Sequence, residues 1–106
     1  MEAEWSEIDH DAESGRRIFK RDAPNQRSGT YGTYDFEVAA DLEVRDAAGT
    51  VLFATRETAS GEYWCGVFLW FVKGTAGTQV RLDASNKDDR IYDVPDTPRA
   101  SNAGTS

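Results

Sequence analysis

Between residues 33 and 45 apolar and polar positions alternate, with Tyr34, Phe36, Val38, Ala40, Leu42 and Val44 set against Asp35, Glu37, Ala39, Asp41, Glu43 and Arg45. A period of two is that of a strand with one buried and one solvated face. The segment is therefore predicted as a strand whose outer face is acidic. Asp46-Ala47-Ala48-Gly49 fits a tight turn with glycine at the left-handed position, and residues 50–58 (TVLFATRET) return as the hairpin partner.

Residues 62–72 (EYWCGVFLWFV) break this pattern, because both alternating faces are apolar: Trp64, Phe68, Trp70 and Val72 on one, Tyr63, Cys65, Val67, Leu69 and Phe71 on the other. A strand of this kind needs a cover on each face. The core of a sandwich covers one; the other is left for the N-terminal segment, the basic loop after it, or a second molecule.

Shorter signals complete the chain. Residues 16–21 read as a short strand, TQVRLDA places Val80, Leu82 and Ala84 inward, and RIYDV at 90–94 reads as an edge strand closed by Pro95, which has no amide hydrogen to donate. GTYGT at 29–33 and GTAGT at 74–78 read as turns. Trp5 and Ile8, three apart in an acidic arm over 1–14, suggest a short helix or an ordered arm that pins Trp5. The polar end, 95–106, reads as a flexible, disordered tail. The expected fold is all-β, a small single-domain antiparallel β-sandwich or barrel of five to six strands over 15–94, rich in meander connections.

Composition agrees with one domain. A chain of 106 residues with 12 aromatic side chains can build one core. The net charge of −7 disfavours binding to nucleic acid or anionic lipid. The charge is blocked: residues 1–13 hold six acids and no Lys or Arg, whereas Arg16, Arg17, Lys20 and Arg21 follow close behind. The basic block is most simply used against the acidic arm. Cys65 has no second cysteine to pair with, which points to a reducing cytoplasm. The opening MEAEWSEIDHD lacks the basic start and apolar core of a signal peptide. With Met1 in place, a complete small gene product is expected. The run at 62–72 is too short to span a bilayer as a helix.

Little of the sequence suggests chemistry. His10 is the only histidine, and the stretch Asp9-His10-Asp11-Ala12-Glu13 reads as a solvated arm rather than a metal site, because contiguous ligands need a turn to converge them. Cys65, between Trp64 and Gly66, reads as a small buried hydrophobe. Neither a cofactor nor a metal is expected, and no Gly-rich phosphate loop or nucleophile elbow is present.

The expected function is noncatalytic: a protein–protein interaction module that binds stoichiometrically through an aromatic strand face (Tyr63, Trp64, Leu69, Trp70 and Phe71) and an acidic strand face (Asp35, Glu37, Asp41 and Glu43). Its partner is a protein, a basic one if the acidic face steers it, which extends to inhibition of a nucleic-acid-handling enzyme; a homodimer would use the same aromatic face. One alternative is a small-ligand or carbohydrate-binding barrel with an aromatic groove and weak carboxylate chemistry. Another is a structural subunit of a phage particle or other assembly.

Overall fold

The computed structural model describes residues 4–23, 36–61, 66–84 and 90–98. They form seven strands and no helix, and hence no helix long and apolar enough to cross a membrane. In chain order these are β1 (Ser6–His10), β2 (Arg17–Asp22), β3 (Phe36–Arg45), β4 (Val51–Gly61), β5 (Val67–Phe71), β6 (Gln79–Ala84) and β7 (Arg90–Asp93). Two open antiparallel sheets result, one ordered β1-β2-β3-β4 and the other β5-β6-β7. The sandwich is thus the alternative that holds, with more strands than the five or six expected. The meander runs unbroken within each sheet and is interrupted between β4 and β5, where the chain changes sheet.

The β3–β4 hairpin is as the alternation predicts. Asp41 faces Arg56 and Leu42 faces Thr55 in the ladder. At the turn, Asp46 accepts from Gly49 N–H at 2.9 Å through its carbonyl and from Thr50 N–H at 2.8 Å through its carboxylate. Gly49 takes a φ of +94°, which an L side chain adopts only with strain.

The arm differs from the helical alternative, because β1 is a strand pairing with β2. Its register slips between Glu7 and Asp9, so that Ile8 is bulged. A helix of this length gains too little to offset nucleation, whereas β2 offers an unpaired edge whose backbone groups the arm satisfies. The bulge also breaks the period of two, which is why Trp5 and Ile8 do not read as a strand. Trp5 is pinned nonetheless: the guanidiniums of Arg21 and Arg45 lie 4.4 and 5.2 Å from its ring centroid.

The core lies between the sheets. Ile18, Leu42 and Val44 from one sheet meet Val67, Leu69, Val80 and Leu82 from the other, all essentially inaccessible to water. The two open sides are closed by different means. On one, the Asp9 carboxylate of β1 accepts the backbone N–H of Phe71 on β5 at 2.8 Å. On the other, Tyr92 of β7 packs its ring against Phe53 of β4, with centroids 5.2 Å apart.

The 72–78 segment is the expected turn. Gly77, at a φ of +77°, packs so closely on the β1–β2 connection that an added Cβ would sit 2.5 Å from Ser14 Oγ. Arg16 donates to the Gly77 carbonyl at 2.9 Å. Val94, beyond β7, is buried and donates its N–H to the Thr78 carbonyl at 2.8 Å. The predicted flexible tail lies outside the described residues from 99 onward.

Candidate functional site

β5 separates the two apolar faces of the aromatic run. Val67 and Leu69 point into the core, and Phe68 and Trp70 point out, 43% and 36% exposed. The neighbouring strands continue that outer face by register. Phe68 stands opposite Asp83, and Trp70 stands opposite Arg81, which in turn faces Ile91, itself 53% exposed. The face therefore includes the cross-strand rows Phe68–Asp83 and Trp70–Arg81–Ile91, with Gln79–Asp93 as the next row. Arg81 leans toward the indole, its guanidinium 5.9 Å from the ring centroid. At the edge, Lys20 of β2 sets its ammonium 4.5 Å from the Phe68 ring centroid. Burial there holds its pKa below the ordinary lysine value, with Asp22 opposing the shift.

Of the residues expected to bind, Trp70 is on this face. Leu69 is a correction, because at 1% exposure it is core and is not available to a partner in the folded protein. Phe71 is half-buried and packs against the core. Tyr63, Trp64 and Asp35 lie outside the described residues, as do Cys65 and Tyr34. Glu37 pairs with Ser60 in the β3–β4 ladder. Phe68, Arg81, Asp83 and Ile91 were not singled out from the sequence as binding residues. For Ile91 the available signal was parity: once Tyr92 is taken as inward in RIYDV, Ile91 must face out.

The outer face of the larger sheet is not the solvated acidic stripe that the alternation suggests. Asp41 keeps only 15% of its side chain exposed and accepts from Arg56 at 2.7 and 3.1 Å and from Arg21 at 3.1 Å. Glu43 is bound by Arg45 at 2.9 Å. Arg45 also lies over Phe19, 4.1 Å from the ring centroid. Asp41 and Glu43 are thus consumed in ion pairs with arginines from three strands. Beside them a shallow groove of about 370 Å³ is lined by Trp5, Arg21, Asp41, Thr55 and Arg56, among others.

The hydrogen bond from Arg56, followed by that from Arg21, holds the Asp41 carboxyl below its ordinary value of 3.8. A depressed carboxyl contributes stability that is present above the unfolded value and is lost as pH falls through the folded one. Thermal stability is therefore expected to decline as pH drops below about 4. The Asp41→Asn variant should show a shallower acid limb in a series of melting curves; an unchanged slope would remove Asp41 from the account of acid stability. Asp11, lowered by its hydrogen bonds from Ser14, contributes in the same sense in both proteins.

His10 is exposed, and its backbone N–H bonds the Asp9 carboxylate at 2.9 Å. Among the described residues, no three His, Cys, Asp or Glu side chains are grouped to hold a metal ion. Comparison of the chain with protein-family models, curated proteins and solved structures finds no match.

Proposed function

We propose that the protein is a noncatalytic protein-binding module that docks through the outer face of β5, β6 and β7. The observation that carries this reading is the apolar group Phe68, Trp70 and Ile91, all three more than a third exposed on one three-stranded face. Exposed large apolar side chains on one face are what protein interfaces bury; here they stand on the two outer strands, with Arg81 and Asp83 of β6 between them. Trp is also among the residues that dominate binding energy.

The sheet edges suit this role less well. Asp9 occupies the Phe71 amide on β5, and β4 carries an inward-pointing charge, Glu57, a device that discourages strand addition. The net charge of −7 favours encounter with basic proteins at long range, but Asp41 and Glu43 are tied up in ion pairs, so steering rests on the whole molecule and not on that stripe. The small-ligand alternative has one observation in its favour, the groove beside Trp5. We place it second, because the indole is stacked with Arg21 and Arg45 and the groove's carboxylates are already paired. A reducing, cytoplasmic setting is part of this proposal and is supported by the single cysteine.

The test is the paired substitution Trp70→Ser with Ile91→Ser in the full chain. Both residues are exposed, so the circular dichroism spectrum and a cooperative unfolding transition should be retained. Assembly with protein at fixed ratio, like or unlike, should be lost. Equal assembly by the substituted and the original chains would sink the reading.

A further inference from the structure

We infer that the occupant of this face is a second copy of the chain, packed sheet against sheet across a two-fold axis between the rows Phe68–Asp83 and Trp70–Arg81–Ile91. The inference rests on the reading of this face as a docking surface and specifies its partner.

The face is self-complementary. Place a two-fold axis in the plane between two facing copies, perpendicular to the strands and midway between the two rows. It lays β5 over β5 and β6 over β6 with their directions reversed, and exchanges one row for the other. Because Phe68 and Asp83 share one row and Trp70 and Arg81 the next, each Phe68 then meets the partner copy's Trp70, and each Arg81 meets the partner copy's Asp83. Aromatic lies on aromatic and cation on anion, twice over, which is the isologous condition that a closed dimer requires. Sheets packed face to face lie about 10 Å apart, a gap that an arginine and an aspartate side chain span together. The strand directions need not be aligned to better than about 30°. An unlike partner would need no such exchange symmetry in the pattern.

Size sets the strength. Strands of about six residues at roughly 3.3 Å per residue, three abreast at roughly 4.8 Å, give a face near 20 by 14 Å. It buries less than the roughly 800 Å² per partner of a standard interface, so a dimer that dissociates on dilution, on the order of micromolar, is expected. The charge pairs set the register of the two copies; the aromatic rings supply the affinity.

Sedimentation of the full chain over a concentration series tests this directly, with circular dichroism and unfolding curves as fold controls. The chain should dimerise reversibly. Arg81→Asp alone, or Asp83→Arg alone, sets like charges against each other on both sides of the axis and should weaken the dimer by about tenfold or more. Carrying both reversals in one chain re-forms the pairs with signs exchanged and should restore the dimer. Restoration supports the two-fold; a dimer indifferent to the single reversals, or one not rescued by the double, overturns it. A chain that stays monomeric also overturns it. In that case, loss of an unlike partner on Trp70→Ser with Ile91→Ser would leave the docking face standing, and unchanged capture would remove both.

Discussion

Leu69→Asp is expected to abolish cooperative unfolding, while Trp70→Asp, one position along the same strand, is expected to leave it nearly intact. Leu69 is 1% exposed and pairs with Leu82, another core residue. Its replacement forfeits roughly 1.5 to 3 kcal/mol of side-chain burial. It also places a carboxyl among the apolar side chains of the core, which either costs several kcal/mol or forces protonation. Together these approach the whole stability of a small domain, roughly 5 to 15 kcal/mol. Trp70 is 36% exposed beside Arg81, so an aspartate there stays in water and the loss should be about 1 kcal/mol. Urea titrations followed by far-ultraviolet dichroism read both. A folded Leu69→Asp protein would mean that the two faces of β5 have been assigned in reverse. The gentler Leu69→Ala, at about 2 to 5 kcal/mol, would keep the comparison measurable if the aspartate variant does not accumulate.

That pair of residues also marks how far the sequence could be read. Parity separates Val67 and Leu69 from Phe68 and Trp70 without a structure, because side chains in a strand alternate. It cannot say which set is inward when both are apolar; the answer comes from β6, where Val80 and Leu82 alternate with Arg81 and Asp83, and from the register that sets Trp70 opposite Arg81. The acidic stripe failed for a related reason. Asp41 and Glu43 do lie on the outer face, but the arginines that neutralise Asp41 come from β2 and β4, and only the ladder brings Arg21 and Arg56 to it. One-dimensional alternation reports faces; it is blind to neighbours across strands. The change of sheet between β4 and β5 was hidden as well, since a turn signal marks where a strand ends and not which sheet the next one joins.

The other large effect is expected at the seam where β7 meets β4. Glu57 points inward at 9% exposure, and its carboxylate accepts from Thr55 Oγ1 at 2.7 Å and from the Tyr92 hydroxyl at 2.9 Å. The first bond is within one strand; the second crosses between the sheets. Tyr92→Phe keeps the ring on Phe53 and deletes the hydroxyl, which donates to Glu57 and also accepts from exposed Arg90 at 3.4 Å; the buried carboxylate is left with one bond fewer, a loss of about 1 to 3 kcal/mol. Glu57→Gln retains an acceptor for the phenol and should cost less, and Glu57→Val, which removes the charge along with its need for donors, should cost less than leaving that charge underbonded. A double-mutant cycle between Tyr92→Phe and Glu57→Val should therefore show a coupling of at least about 0.5 kcal/mol. Burial, the leading cause, raises the Tyr92 phenol above its ordinary 10.0, so the proton that makes this bond is held throughout neutral pH. A raised pKa contributes stability below the unfolded value and loses it as pH climbs through the folded one. The original chain should accordingly weaken above about pH 10, and the Tyr92→Phe chain should weaken less there. A Tyr92→Phe protein as stable as the original, with no coupling to position 57, would mean that ring packing alone holds the two sheets together on this side.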